Sequence, residues 1–185
     1  MSRFIPSRNT ALFLDRDGVI NKRKKDGYIT SPDEFSFLPG VANAISRLNK
    51  FFGKTLIITN QQGVGKGLMT ESDLEKIHQK MIAAIESEVG HIDKIYHAPQ
   101  LESANCIMRK PHPGMIHRAL RDFPEISLEK SWLVGDTTAD LELAQKMGIS
   151  SVFLHSPEEA DSGWEDFEPA LVVGSLAEFA DIVCE

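Results

Sequence analysis

Short apolar runs alternate with amphipathic stretches along almost the whole chain. Ala11–Asp15 (ALFLD), Thr55–Thr59 (TLIIT), Lys94–His97 (KIYH), Ser131–Gly135 (SWLVG), Ser151–Leu154 (SVFL) and Leu171–Val173 (LVV) are runs of strand length. Such continuous runs suit strands covered on both faces, as in a parallel sheet. Between them, apolar positions recur at helical spacing. Over Val41–Phe52 the stripe is Val41, Ala44, Ile45, Leu48 and Phe52, preceded by Pro39 and Gly40. Thr70–Glu88 opens with the capping-box-like Thr70-Glu71-Ser72-Asp73 and carries Leu74, Ile77, Met81, Ile82 and Ile85 on one face. Pro113–Phe123, Ala139–Met147 (stopped by Gly148) and Leu176–Val183 complete the helices. The alternation predicts an α/β fold: a Rossmann-like, doubly wound parallel sheet with right-handed crossovers and helices on both faces.

The 185 residues suit one domain, 1–185, with 1–9 as an N-terminal arm. No apolar stretch approaches the ~18 residues of a membrane span, and the first ten residues lack an apolar signal core. With only two cysteines, Cys106 and Cys184, a disulfide framework is not indicated, so a cytoplasmic protein is expected. The formal net charge of −7 argues against a nucleic-acid binder. It also means that any site for an anion must be built locally, from a cation or from converging Lys, Arg and N–H groups. No apolar stripe is left over once the sheet is covered, so a monomer is the default.

Ligands of open α/β sheets bind at the carboxyl ends of the strands. Four polar segments leave strands or precede helices there: Asp15-Arg16-Asp17-Gly18, Thr59-Asn60-Gln61-Gln62-Gly63, Arg109-Lys110-Pro111-His112 and Gly135-Asp136-Thr137-Thr138-Ala139-Asp140. Asp15 and Asp17, two residues apart in a turn eased by Gly18, can face one centre. Asp136 would add a third carboxylate, and three ionised carboxylates in a cleft call for a cation. Mg²⁺ suits hard oxygen ligands and bridges carboxylates to phosphate. Lys110 and Thr59 could bind phosphoryl oxygens, Asp15 could attack phosphorus, and Asp17 could protonate the leaving oxygen and then take a proton from water. An Asp pair at a strand end can equally be a turn or helix-cap device; its combination with Asp136, Lys110 and Thr59 favours chemistry. Asp140 lies in the first turn of a helix, where capping and second-shell metal support both fit.

These four segments, in order, resemble the haloacid dehalogenase-like superfamily over about Ala11 to Val173. Phe13-Leu14-Asp15-Arg16-Asp17-Gly18, Thr59-Asn60-Gln61 and Arg109-Lys110-Pro111-His112-Pro113-Gly114-Met115 are similar to its heptose 1,7-bisphosphate phosphatases, with histidinol-phosphate phosphatases as close relatives. The resemblance implies a phosphatase of a small phosphorylated metabolite working through a phospho-aspartate. It makes Asp15 the nucleophile, Asp17 the acid/base, and Thr59 and Lys110 the phosphate binders. Asp15, the Asp17 carbonyl and Asp136 would hold Mg²⁺, and Asn60, Gln61, Arg109 and Lys66 would contact substrate. A phosphate-binding module without activity and a phosphotransferase are the competing classes; the intact Asp15/Asp17 pair speaks against the first.

Relatives carry a zinc loop where this chain has Ala98, Gln100, Cys106 and Met108, so no structural Zn²⁺ is expected. Leu101, Ile107 and Met108 are expected to hold that loop instead. Thr137 stands where relatives often have a basic residue. No large insertion follows Asp17 or Thr59, so no cap domain is expected. Gly63-Val64-Gly65-Lys66-Gly67 fails both the Walker and the dinucleotide patterns, having Asn60 and Gly67 where the first needs Gly and Ser or Thr, and Leu68 where the second needs Gly. It reads as a flexible substrate loop. Lys22–Lys25 reads as a solvated turn that could reach a second phosphate. His78, His91, His117 and His155 read as surface or helix residues, and His97 and His112 as local structure.

Overall fold

The computed structural model describes residues 7–156 and 162–184. Its strands are β1 (Ser7–Leu14), β2 (Phe52–Asn60), β3 (Lys94–Ala98), β4 (Trp132–Gly135), β5 (Ser150–Leu154) and β6 (Leu171–Val173). Its helices are α1 (Val41–Leu48), α2 (Gln62–Gly65), α3 (Glu71–Ser87), α4 (Gly114–Asp122), α5 (Thr138–Met147) and α6 (Leu176–Cys184). The strands form one sheet in the order β3-β2-β1-β4-β5-β6, and every pairing is parallel. Strand order therefore reverses between β1 and β4, which is where a doubly wound sheet opens a crevice.

Both faces of the sheet are apolar because side chains alternate along each strand. Leu12, Leu14, Ile57 and Val134 pack with α1, α3 and α6 on one side. Phe13, Leu56, Ile58 and Leu133 pack with α4 and α5 on the other. Fully buried Phe13, Leu14 and Ile57 each contribute about 1.5–3 kcal/mol by leaving water. No second domain is inserted among the described residues.

Two boundaries differ from the sequence reading. Phe52 belongs to β2, not to the first helix, which ends at Leu48. Its apolar position fits either element, so periodicity cannot place it; Phe51 N–H donating to Leu48 O closes the turn that separates them. The first strand also begins earlier than expected, at Ser7. Residues 7–9 are already strand, with Ser7 opposite Phe52, while residues 1–6 lie outside the described residues.

Candidate active site

β1 and β4 run side by side with Leu14 opposite Val134, and the Asp15 N–H continues the ladder by donating to Val134 O at 3.0 Å. Asp15 and Asp136 therefore leave the sheet at the same end, next to each other. Carboxylate oxygens of Asp15, Asp136 and Asp140 all lie within 4.8 Å of one another. Two glycines make the crowding possible. At Gly18, which has φ +93°, a Cβ would lie 1.7 Å from Asp136 Oδ2; at Gly135 a Cβ would lie 2.2 Å from that of Asp140. Any side chain at either position collides with an acid of the cluster.

Lys110 reaches the cluster from the loop before α4. Its buried ammonium lies 2.8 Å from Asp15 Oδ1 and 2.6 Å from Asp140 Oδ1. Burial would lower the Lys110 pKa, but Asp140 and Asp15 outweigh it and the net shift is upward. Burial raises the Asp15 carboxyl, with Lys110 opposing and Asp140 adding to the rise. Asp136 is raised well above the usual carboxylate range, by burial first and by Asp15 next, with Arg23 opposing. Asp140 is fully buried; besides pairing with Lys110 it accepts hydrogen bonds from the Thr137 N–H and hydroxyl, capping α5.

Asp17 sits in a different field. Arg16, itself fully buried, donates to both of its oxygens at 3.0 and 2.8 Å. The Asn21 and Gln61 amides add bonds of 2.9 and 2.8 Å. Burial alone would raise this carboxyl, yet the Arg16 charge and these donors outweigh it and hold the pKa below the ordinary value. Thr59, at the end of β2, is buried, and its Oγ1 accepts from Gln61 Nε2 at 2.9 Å.

Hard oxygens in this spacing suit a divalent cation. Asp136 Oδ1 is buried without a hydrogen-bond partner, and an uncompensated buried carboxylate oxygen is costly unless a cation meets it. The residues present fit such an ion.

A cavity of about 540 Å³ opens over Asp15 and is bordered by Arg23, Lys24, Lys66, Arg109 and Lys110. In an acidic protein this is the local reversal of field that an anion needs. Arg109 presents an Nη1 that is buried without a partner. Lys66 donates to Tyr28 Oη at 2.8 Å and lies 5.0 Å from the centre of its ring.

The structure brings Asp15, Asp17, Thr59, Asn60, Gln61, Lys66, Arg109 and Lys110 around this one cavity, with Asp136 and Asp140 clustered against Asp15. Two side chains expected to meet substrate, Asn60 and Gln61, border the cavity and are also bonded to the scaffold. Gln61 bridges Asp17 and Thr59, and Asn60 holds the Lys110 backbone. The 61–67 segment is not a flexible loop: it contains α2, and Gly65 N–H donates to Pro99 O at 3.1 Å. Gly65 serves packing, since a Cβ there would lie 2.4 Å from that oxygen, whereas Gly67 has open space around it and a φ of +70°. Ile107 does not hold the 98–108 loop, being 61% exposed. Backbone bonds from Arg109 N–H to Cys106 O and from Gly114 N–H to Ile107 O hold it, with Met108 partly buried.

His78, expected on the surface or a helix, lies on α3 but is buried: it is 4% exposed and its Nε2 lies 3.3 Å from Arg16 Nη1. Its place beside Ile77 on the apolar stripe of α3 was the available signal. Arg16 is not among the expected site residues, although a charge between two site acids at a buried strand end must be paired, as it is with Asp17. Arg23 lies in an exposed segment, as expected of Lys22–Lys25, but its guanidinium is not free there. It crosses to Asp136 Oδ2 at 2.7 Å, and nothing local announces a contact 113 positions away.

The HAD-hydrolase-like family model matches residues 107–179. A D-glycero-alpha-D-manno-heptose-1,7-bisphosphate 7-phosphatase of Mycobacterium bovis is 39% identical over 140 residues, 76% of this chain and 74% of that protein. A D-glycero-beta-D-manno-heptose-1,7-bisphosphate 7-phosphatase of Pseudomonas putida is 37% identical over 143 residues, 77% and 81% of the two chains. Among solved structures, the D,D-heptose 1,7-bisphosphate phosphatase of B. bronchiseptica, complexed with magnesium and phosphate, superposes with a TM-score of 0.81. It is 32% identical, with 93% of this chain and 96% of that one covered.

Proposed function

We propose, because this chain belongs to the haloacid dehalogenase-like phosphatases, that it removes the 7-phosphate from D-glycero-D-manno-heptose 1,7-bisphosphate through a phospho-aspartate on Asp15. The observation that carries this reading is the meeting of Asp15, Asp136 and Lys110 where strand order reverses. The substrate rests on the names of the relatives at 37–39% identity and on the cation-lined cavity, which is large enough for a sugar with two phosphates.

Asp15, the Asp17 carbonyl and Asp136 would hold Mg²⁺, with Asp140 supporting through Lys110. When bound, the ion neutralises the acidic cluster and draws charge from the phosphoryl oxygens. Lys110 and Thr59 orient the phosphoryl group so that an Asp15 oxygen attacks phosphorus in line. The bond to the sugar oxygen breaks as the acyl phosphate forms, and Asp17 supplies the proton that oxygen needs. Held by Arg16, Asp17 is ionised in the resting site; turned toward the bound phosphate, whose charge raises its proton affinity, it takes up a proton from solvent and passes that proton to the leaving oxygen. Having given up that proton, Asp17 is again a carboxylate and can act as base. It then takes a proton from the water that cleaves the acyl phosphate and frees Asp15.

The free thiols of Cys106 and Cys184 support a place in the cytoplasm. No helix among the described residues is long and apolar enough to cross a membrane. The net charge of −7 supports a metabolite rather than nucleic acid as partner, and a monomer is the working state.

The test is phosphate release from a panel of sugar phosphates, histidinol phosphate and nucleotides, with and without Mg²⁺. Heptose 1,7-bisphosphate is expected to lead in kcat/KM by at least about tenfold, some 1.4 kcal/mol of transition-state binding. A better substrate elsewhere in the panel, or equal rates without Mg²⁺, overturns the reading.

A further inference from the structure

Two cations touch the acidic cluster, and they are held very differently. Lys110 is buried, with a side-chain exposure of 2%, and is fixed by two carboxylates at 2.8 and 2.6 Å. Arg23 comes from the loop after Asn21, keeps 40% of its side chain exposed, and is held by one carboxylate. Its Nη2 donates to Asp136 Oδ2 at 2.7 Å and to the Asp17 carbonyl at 3.3 Å. Those are oxygens of two of the three residues that the function proposed above assigns to Mg²⁺. A guanidinium and a dication cannot occupy the same oxygens, because they repel each other and Mg²⁺ needs its ligands at about 2.1 Å. Removing Lys110 would strand two buried acids, whereas Arg23 can swing into water at little cost.

Its other neighbourhood says where it goes. Arg23 and Lys24 border the cavity over Asp15 together with Lys66 and Arg109. Once released from Asp136, the guanidinium is a forked donor at the edge of an anion site, suited to two oxygens of one phosphate. The two roles exclude each other: Arg23 serves the acid cluster or the substrate, never both.

We propose that Arg23 is the exchangeable counter-cation of Asp136, which Mg²⁺ displaces and which then binds the second phosphate of a sugar bisphosphate. Metal loading thereby readies the enzyme for a bisphosphate over a monophosphate. This rests on the phosphatase reading for its substrate half; the metal half does not need it.

The test has two arms on Arg23→Ala and Arg23→Gln, each first matched to the native circular dichroism spectrum. In the first, Mg²⁺ is titrated calorimetrically at pH 8 without substrate. Loss of the competitor is expected to tighten the dissociation constant by about fivefold, the scale of a partly exposed ion pair. Arg23→Lys should stay near the wild type. Unchanged or weaker Mg²⁺ binding in both variants overturns the displacement. In the second, the ratio of kcat/KM for heptose 1,7-bisphosphate to that for p-nitrophenyl phosphate is compared at saturating Mg²⁺. It is expected to fall at least tenfold in both variants, and a ratio within twofold of wild type overturns the phosphate contact. A wild type that hydrolyses neither compound sinks the phosphatase reading and the phosphate contact with it; the titration still decides the displacement.

Discussion

Asn60 holds the Lys110 backbone by two hydrogen bonds, donating to the Lys110 carbonyl at 3.1 Å and accepting from its N–H at 3.0 Å. This pair ties the end of β2 to the loop before α4 across 50 positions of sequence. It fixes the root of the side chain whose ammonium lies between Asp15 and Asp140. Asn60 thus acts through Lys110.

Replacing Asn60 with Ala leaves a buried N–H and a carbonyl to find other partners. A loss of about 1–2 kcal/mol in stability is expected, together with at least a tenfold fall in kcat, because small displacements of a phosphate-binding group are costly. Urea unfolding and initial rates measure both. Native kcat in a folded Asn60→Ala protein would show that Lys110 needs no such support.

Asp136 ionises against burial and against Asp15, so its folded pKa is raised. A raised carboxyl favours folding below the ordinary carboxylate range and disfavours it as pH climbs through the raised value. At pH 7.5 the metal-free protein therefore carries a penalty that Asp136→Asn removes. The variant is expected to melt at a higher temperature than wild type without metal, and to lose the stabilisation that Mg²⁺ gives wild type. Thermal melts at pH 7.5, with and without Mg²⁺, decide; a lower melting temperature for the metal-free variant contradicts the sign.

His78 gives a dependence of the opposite sense. Burial, then the neighbouring Arg16, pushes its pKa down to about 3, with His97 adding and Asp17 opposing. It stays neutral in the fold while the unfolded chain takes up a proton below about 6.5. Stability is thus intact above that value and is lost as pH falls from it toward 3, by on the order of 2 kcal/mol at pH 5. His78→Gln should flatten this limb, as read by urea unfolding at pH 5, 6 and 7. An unchanged slope would place the acid sensitivity elsewhere.

The strands and the acid cluster were legible because each has a one-dimensional signature. Thr55–Thr59 is apolar throughout because both faces of its strand are covered, and Asp15 and Asp136 follow such runs directly. What was hidden depends on direction or on distance. Asn60 and Gln61 were located correctly at a strand end, but whether an amide faces ligand or scaffold depends on the tertiary partners it meets. Arg23 lies in a Lys/Arg run whose pattern is that of a solvated turn, and only the folding of β4 beside β1 gives it Asp136. His78 could have been read from its position on the stripe of α3, where a neutral imidazole can replace an apolar side chain if a partner is near.

The central claim is that the Asp15 carboxylate attacks phosphorus. The direct measurement is Mg²⁺-dependent phosphate release by Asp15→Asn, which keeps the shape and removes the nucleophile, with folding checked by its melting temperature. A fall in kcat of roughly a thousandfold or more is predicted, as for the loss of other covalent nucleophiles. Retention of a tenth of the wild-type rate in the folded variant would contradict the account.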